Sequence, residues 1–294
     1  MIESTSVYEI QRELRRLADS AGEPRQGPAL RTSVMTHIAW VPAEWREAAQ
    51  ATLAGLAESH PSRTILLFPD RDCERDALDA EVDLRFFARG RERQVCSEVV
   101  TVWLRGRKAA APASVALPLV RSDLPVFLRW RGRLPFGTAA LEQLVDIADR
   151  LIVDSREWPE PEPGYEHLAG LIDEIAVSDI AWARIEPWRE LVAGLWPDVA
   201  EADRLRVVGP RAEGLLLSRW LAARLGHAVE LEHEPADEVE VVSVGGRPVI
   251  PSRLERLSPS ELLSHQLERF GRDRVYEQAI RAFSPVDALA PSPP

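Results

Sequence analysis

The sequence predicts an α/β fold built from two α/β domains with mixed, partly parallel sheets. One observation is a strand–helix–strand pattern, in which apolar strands at 124–128 and 151–155 flank a helix at 138–148. Short links between such elements are the signature of a parallel crossover unit. A second observation is a pair of longer strand-like segments, 82–89 and 94–104, separated by a glycine-containing turn. This spacing indicates an antiparallel pair in the same half of the chain.

The remaining elements of the first half follow from hydrophobic periodicity. The first helix places Ile10, Leu14 and Leu17 on one face, and Pro42 begins the second helix. The full predicted order is helix 8–18, strand 33–41, helix 42–57, strand 64–68, strands 82–89 and 94–104, helix 112–120, strand 124–128, helix 138–148 and strand 151–155.

The second half contains further helices and a set of short closing strands. Gly226 should end an apolar helix that begins at 212, and Gly245 with Gly246 should form a hairpin turn. The segment Ser258 to Glu261 is a capping box that begins another helix. The predicted order is a helix carrying Leu168 to Ile175, a helix from Pro187, strand 205–208, helix 212–225, strands 229–233, 239–244 and 247–250, a helix to Phe270 and helix 275–283.

Domain boundaries are predicted from a proline-rich segment. Residues 158–164 carry three prolines on alternate positions, which favours an extended linker. We therefore expect an N-terminal α/β domain at 1–157 and a C-terminal α/β domain at 163–285. The last residues, 286–294, are expected to form a disordered tail.

Composition narrows the class of protein. The chain has 294 residues, of which 45% are hydrophobic, and a formal net charge of −11, which argues against nucleic-acid binding. There is neither a signal-peptide pattern at the N-terminus nor an apolar run long enough for a membrane span, so a cytoplasmic location is expected. The only two cysteines, Cys73 and Cys96, are interpreted as reduced thiols, with a redox pair left open.

No common catalytic, nucleotide-binding or metal-binding motif is present, so the sequence predicts no enzyme activity, no cofactor and no metal. One candidate anion site is the turn formed by His60, Ser62 and Arg63, where a hydroxyl and a guanidinium lie close to a proline. A solvated surface turn is the alternative. Glu98, in an otherwise apolar strand, is expected to form a structural salt bridge with an arginine rather than to act as a catalytic acid.

Two further segments are candidates for binding another protein, because Trp and Arg dominate binding hot spots. The first directly follows a buried strand, at the edge of the sheet where α/β proteins bind ligands, although a solvated loop is an open alternative. The second lies in the block 179–189, where a buried core position is the alternative for tryptophan. The candidate residues are Arg129, Trp130, Arg131, Arg133, Trp182, Arg184 and Arg189.

Six segments, in this order along the chain, resemble the glucose-6-phosphate dehydrogenase assembly protein family, often called OpcA. They are HPSRTILL (60–67), CSEVVTVWLRG (96–106), ASVALPLVRSDLPVFLRW (113–130), DRLIVDS (149–155), DIAWARIEPWRELVAGL (179–195) and LSRWLAARLG (217–226). The family pattern usually has a tryptophan pair where this chain has Arg129 followed by a single Trp130. Beyond residue 230 the resemblance is slight, and residues 230–240 carry six acids and no Lys or Arg.

The resemblance implies a two-domain, non-catalytic assembly factor or allosteric activator. Its partner would be glucose-6-phosphate dehydrogenase, whose active oligomer it would favour, supporting the oxidative pentose phosphate pathway and NADPH supply. The rival hypothesis is an enzyme or sensor that binds a sugar phosphate or a nucleotide, with His60, Ser62, Arg63 and Arg129 around the phosphate.

Overall fold

The computed structural model describes residues 2–20, 29–30, 33–56, 60–88, 94–251 and 256–283. Up to residue 153 the elements are α1 (Val7–Ser20), β1 (Ala29–Leu30), β2 (Met35–Trp40), α2 (Arg46–Leu56), β3 (Ser62–Asp70), β4 (Leu78–Ala88), β5 (Gln94–Arg105), α3 (Ala113–Ala116), β6 (Val126–Trp130), α4 (Ala139–Val145) and β7 (Arg150–Val153). The later elements are α5 (Pro161–Leu171), β8 (Ala176–Asp179), α6 (Ile180–Arg184), α7 (Glu186–Ala193), β9 (Arg204–Gly209), α8 (Arg211–Leu225), β10 (Glu230–Pro235), β11 (Val241–Val244), β12 (Arg247–Val249), α9 (Pro259–Leu267) and α10 (Arg274–Arg281).

The chain divides into two compact units. Unit 1 comprises residues 1–153 and 259–268, and unit 2 comprises residues 154–258 and 269–294. The helix α9 therefore belongs to unit 1, although the prediction from sequence assigned it to the C-terminal domain at 163–285. The proposed tail at 286–294 lies outside the described residues.

The predicted extended linker at 158–164 is wrong for its second half, because α5 begins at Pro161. A proline in the first helical turn costs nothing, since the N–H that it lacks would have no partner there. Trp158 is buried and its ring lies 5.5 Å from that of Tyr165. A Cβ atom on Gly164 would lie 2.6 Å from Cε3 of Trp158, so the glycine lets the tryptophan pack against the helix.

Unit 1 contains a mixed sheet with the order β1-β5-β3-β2-β6-β7, and β4 pairs with β5 in addition. The pairs β2–β3, β2–β6, β3–β5 and β6–β7 are parallel, whereas β4 and β5 are antiparallel. In the central strands, Ile38 lies opposite both Ile65 and Leu128, and all three side chains are fully buried. The predicted α/β class and the predicted antiparallel pair are both confirmed.

The central strands of unit 1 are buried along their length. All six residues of β2 and all five residues of β6 are buried, as expected of parallel strands that are covered on both faces. On the α2 side, Ala39, Val41, Leu66 and Phe68 form a hydrophobic cluster with Ala49. The helix α9 packs beside α2, where the Ser260 hydroxyl donates a hydrogen bond of 2.9 Å to the Thr52 carbonyl oxygen.

Unit 2 contains a four-stranded sheet with the order β10-β9-β11-β12. The strands β9 and β10 are parallel, and the other two pairs are antiparallel. Positive φ angles of 54° and 80° at Gly245 and Gly246 confirm the predicted hairpin turn. The helix α8 packs on β9 and β10 and ends at Gly226, which has a φ of 76°, so the predicted stop is also confirmed.

Candidate functional site

The predicted anion turn at 60–63 has its polar groups engaged within unit 1. The Arg63 guanidinium donates from Nε to Glu98 Oε2 at 2.6 Å and from Nη1 to the Leu119 carbonyl oxygen at 2.9 Å. The side chains of Arg63 and Glu98 are 17% and 14% exposed. The prediction that Glu98 forms a structural salt bridge with an arginine is thus confirmed, and its partner is Arg63.

His60 and Ser62 do not join Arg63 around a common site. Ser62 and Arg63 open strand β3, where neighbouring side chains point to opposite faces. The Ser62 hydroxyl lies 3.2 Å from that of Thr64, and His60 Nε2 lies 2.5 Å from the Ser264 hydroxyl. Burial lowers the pKa of His60, so its imidazole is neutral near pH 7.

The predicted binding loop at 129–133 is only partly accessible. Arg129 and Trp130 are 3% and 1% exposed, because both lie in the central strand β6 rather than in the loop that follows it. Trp130 stacks on Trp40 with ring centroids 4.8 Å apart. Their burial corrects the interpretation of these two residues as surface contacts.

Arg131 and Arg133 reach the surface in the turn after β6. The Arg131 guanidinium donates to the Thr52 hydroxyl at 3.1 Å and lies 5.6 Å from the Trp45 ring centroid. Arg133 is exposed, and within the described residues it forms no hydrogen bond or ion pair. Gly132 between them has a φ of +74°, and a Cβ atom there would lie 2.9 Å from Trp45 Nε1. The glycine therefore allows the turn to pack closely on the indole.

A buried histidine beside Arg129 was not singled out in the sequence. His37 in β2 is 1% exposed, and neither ring nitrogen has a hydrogen-bond partner in the described part of the chain. Burial, together with the positive charge of Arg129, lowers the pKa of His37 to about 3. The signal that could have found it is a histidine in the middle of an apolar strand.

The block 179–189 is largely buried in unit 2. The Trp182 side chain is 3% exposed and donates from Nε1 to Asp273 Oδ2 at 2.9 Å. The Arg189 guanidinium lies over the Trp182 ring, 3.6 Å from its centroid. This contact places Arg189 at the edge of the core, and the core alternative holds for Trp182.

Arg184 belongs to a network of buried charges that we call the ion cluster, comprising Asp154, Arg156, Asp179, Arg184 and Glu213. Arg184 makes two hydrogen bonds of 2.7 Å to the two carboxylate oxygens of Asp154. Arg156 donates from Nε to Glu213 Oε1 at 2.6 Å, and Glu213 is fully buried. The Arg184 guanidinium therefore forms its hydrogen bonds within the ion cluster. The sequence had suggested this residue for contacts with a partner protein.

Asp179 is a carboxyl group of the ion cluster with a strongly raised pKa. Its Oδ1 accepts hydrogen bonds from the backbone N–H of Ser155 at 3.0 Å and of Ala181 at 2.9 Å, and it caps α6. Burial, and then repulsion from the Asp154 carboxylate, raises the pKa of Asp179 to about 7. The Tyr276 hydroxyl donates to Asp179 Oδ2 at 3.5 Å.

Arg156, Glu213 and the tyrosines around Asp179 were not predicted from the sequence as site residues. The hydroxyl of Tyr165 donates to the Ser155 hydroxyl at 2.6 Å. Burial raises the pKa of Tyr165 well above its usual value, so it remains a hydrogen-bond donor at neutral pH. A glutamate within an apolar helix, as Glu213 is in α8, was the available signal.

The acidic segment 230–240 is partly neutralised within unit 2. Along β10, Glu232 lies 3.6 Å from Arg204, and Glu234 lies 2.9 Å from Arg206. Glu238 pairs with Arg156 at 2.8 Å. The acids of this segment therefore extend the charge pairing outward from the ion cluster.

The described residues contain no membrane-spanning helix, no metal-ligand group and no disulfide bond. Every helix in the described part of the chain is too short or too polar to cross a lipid bilayer. In the same residues, no group of three or more histidine, cysteine or carboxylate side chains is arranged to hold a metal ion. Cys73 and Cys96 form no disulfide bond in the described structure, and Cys96 is buried.

These features define a two-unit α/β protein in which each unit contains shielded ion pairs, Arg63–Glu98 in unit 1 and Arg184–Asp154 in unit 2. Family models match two consecutive stretches of it, described as the glucose-6-phosphate dehydrogenase subunit N-terminal domain at residues 54–170 and C-terminal domain at residues 175–280. The chain belongs to this family, the OpcA family of glucose-6-phosphate dehydrogenase assembly proteins. No curated protein matches the sequence.

Proposed function

We propose that this chain is a non-catalytic subunit that binds glucose-6-phosphate dehydrogenase and favours its active oligomer. In this role it supports NADPH supply through the oxidative pentose phosphate pathway in the cytoplasm. The observation that carries the proposal is the match of both family domains, in order, over residues 54–170 and 175–280. The family names support association with the dehydrogenase, and the activating role is our inference from it.

The physical basis is linkage between binding and oligomer equilibrium. A protein that binds only the active form of an enzyme shifts the population toward that form. A differential affinity of about 1.4 kcal/mol shifts the equilibrium tenfold. Binding energy alone therefore accounts for activation, without any bond-making step on this chain.

Contacts within unit 1 disfavour the rival enzyme or sensor hypothesis. Its phosphate site needs the positive charge of Arg63, but the Glu98 carboxylate lies 2.6 Å from that guanidinium. It also needs Arg129 to be accessible, and Arg129 is 3% exposed. A phosphate at this position would have to displace a half-buried ion pair.

We propose the turn after β6 as part of the dehydrogenase contact, with Arg133 as its outermost group. Arg133 is exposed and free of partners within the described residues, so its charge and donors are available. Arginine is enriched in binding hot spots because its guanidinium recognises carboxylates with two parallel hydrogen bonds. Arg131 supports the turn through Thr52 and Trp45.

The test mixes the purified chain with the dehydrogenase of the same organism. We expect an increase in kcat or a decrease in KM, together with a shift of the dehydrogenase toward a larger species in sedimentation velocity. An unchanged rate, substrate dependence and sedimentation profile would refute the proposal. Turnover of a sugar phosphate by this chain alone would favour the rival hypothesis instead.

A matched pair of charge reversals tests the contact surface. Arg133→Glu should weaken dehydrogenase binding by about tenfold or more. Arg224→Glu makes the same charge change at another exposed arginine without partners in the described chain, and should leave binding nearly unchanged. Equal effects of the two variants would remove the turn from the interface without touching the proposed function.

A further inference from the structure

A cleft of about 450 Å³ lies in unit 1 beside the start of α1, apart from the sites described above. Its size falls in the range of small-molecule sites, which is roughly 300–1,000 Å³. It is bordered by the segment Ser4–Val7, by residues 76–78 before and at the start of β4, and by Lys108, Ser114 and Val115.

The cleft contains Lys108, which is the only lysine among the 36 basic Lys and Arg residues of the chain. Lys108 is exposed, and its ammonium forms no hydrogen bond or ion pair with any residue that the structure describes. The neighbouring Arg107 is different, because its Nε donates to Asp76 Oδ2 at 2.5 Å. The Arg107 backbone N–H is the largest cause that lowers the pKa of Asp76, and the nearby charge of Lys108 lowers it further. Two cations and one carboxylate therefore leave a net positive charge at the cleft, and the Lys108 ammonium is the cation without a hydrogen bond to the carboxylate.

The remaining walls combine an apolar floor with hydroxyl groups. Ala77, Leu78 and Val115 are buried beneath the cleft, at 6%, 6% and 3% exposure. The Ser114 hydroxyl donates to the Ala111 carbonyl oxygen at 2.7 Å, and the Ser6 hydroxyl donates to Glu9 at 3.0 Å. Since its proton is committed, the Ser114 oxygen is available as an acceptor for a ligand hydroxyl, whereas the Ser6 oxygen already accepts from the Glu9 backbone N–H at 3.3 Å and has one lone pair left.

We infer that this cleft binds a small polyol that carries one anionic group, with the anion at the Lys108 ammonium. A compact ammonium suits a phosphate or a carboxylate as a point charge. The C–H face of a polyol suits the floor of Ala77, Leu78 and Val115, and its hydroxyls suit the serines. This inference is independent of the proposed function, because it requires no dehydrogenase.

Titration calorimetry on the full chain, without any other protein, tests the chemistry of the ligand. The probes are glucose, inorganic phosphate, glucose 6-phosphate and gluconate, which separate the polyol from the anion and phosphate from carboxylate. A ligand with both features should bind about tenfold more tightly than glucose or phosphate alone. If no probe binds saturably up to about 10 mM, the inference is overturned.

Variants of Lys108 test the position. Lys108→Ala should weaken binding of the best probe by about tenfold, whereas Lys108→Arg should stay within about threefold of the unaltered chain. Because the Lys108 ammonium is exposed and makes no hydrogen bond or ion pair among the described residues, both substitutions should change the free energy of unfolding by less than about 0.5 kcal/mol. Arg224→Ala is the control, since it removes an exposed positive charge in unit 2, away from the cleft, and should not change binding. Undiminished binding by Lys108→Ala would overturn the inference.

Amine labelling gives a second readout, because Lys108 carries the only side-chain amine in the chain. The best probe should slow acetylation of Lys108, measured by peptide mass spectrometry, with the same concentration dependence as its binding in calorimetry. Acetylation of Lys108 at an unchanged rate in saturating probe would contradict a site at Lys108.

Discussion

The Arg184 guanidinium donates hydrogen bonds to both carboxylate oxygens of Asp154, with Nη1–Oδ1 and Nη2–Oδ2 distances of 2.7 Å each. The two side chains are 18% and 7% exposed, so the pair is shielded from water. The Asp154 carboxylate also repels Asp179, as the raised pKa of Asp179 records. We therefore expect the Arg184–Asp154 ion pair to contribute more to the stability of unit 2 than a surface salt bridge would.

Removal of the Arg184 charge should strongly destabilise the chain. Arg184→Met should lower the free energy of unfolding by about 3–5 kcal/mol, because it leaves a buried carboxylate without its partner. Urea denaturation followed by circular dichroism measures the change. Arg224→Met is the surface control and should stay within about 0.5 kcal/mol. A loss of less than about 1 kcal/mol for Arg184→Met would contradict this account.

The Arg63–Glu98 pair in unit 1 should show coupling in a double-mutant cycle. Arg63→Met and Glu98→Gln should each destabilise the chain by about 1–3 kcal/mol, since each leaves a half-buried partner unmatched. The double variant should cost at least about 1 kcal/mol less than the sum of the two. Additive losses would show that the 2.6 Å contact contributes no net stability.

Asp179 should make unit 2 less stable as the pH rises through neutrality. In the folded chain the Asp179 carboxyl group stays protonated up to about pH 7. In the unfolded chain an aspartate loses this proton near pH ~4. The folded state binds more protons between these values, so the contribution of Asp179 to stability is lost as the pH rises. Between about pH 5 and 8, the unaltered chain should lose about 2–3 kcal/mol more than Asp179→Asn. Parallel stability curves for the two proteins would refute the assignment.

His37 should produce the opposite dependence in unit 1. The unfolded chain protonates it near pH ~6.5, but the folded chain keeps it neutral down to about pH 3. The unfolded state binds more protons in this window, so stability falls as the pH falls. From about pH 7 to 5 the unaltered chain should lose about 2 kcal/mol more than His37→Leu. Equal losses in the two proteins would contradict the burial of a neutral imidazole.

Gly132 and Gly137 offer a matched test of backbone strain against close packing. Their φ angles are +74° and +72°, but only Gly132 has a neighbour, Trp45 Nε1, within 4 Å of an added Cβ. Both alanine variants should cost about 1 kcal/mol for the left-handed backbone. Gly132→Ala should cost about 1–3 kcal/mol more, for overpacking against the indole. Thermal unfolding of the two variants gives the difference directly, and equal midpoints would exclude the steric contribution.

Local sequence signals predicted most of the helices and strands, but not the short strands β1 and β8 or the side-chain contacts between elements. The apolar stripe of α1 and the Gly245–Gly246 hairpin depend on neighbouring residues, and both were predicted. The two-residue strand β1 was missed because no periodicity exists at that length. The ion cluster was missed because its contacts are distant in sequence: Arg156 lies 57 residues from Glu213 and 82 from Glu238.

For the candidate site, too, the local sequence indicated the types of residue but not their long-range contacts. The types of residue in the block 179–189 suggested binding, but tertiary contacts decide which of them remain available. Trp182 donates a hydrogen bond to Asp273, and Arg184 donates one to Asp154. The local sequence pattern specifies neither partner. Arg133, in contrast, is exposed and has no partner among the described residues, so it remains available for the binding that its residue type suggested.

The membership of α9 in unit 1 has a consequence for biosynthesis. Leu262, Leu263 and Leu267 are buried in unit 1, and Ser264 supplies the hydrogen-bond partner of His60. A ribosome translating this message must therefore polymerise all of unit 2 up to residue 258 before it delivers these side chains. Unit 1 therefore cannot finish folding before unit 2 is synthesised. The nascent N-terminal part of unit 1 lacks α9 until translation is almost finished.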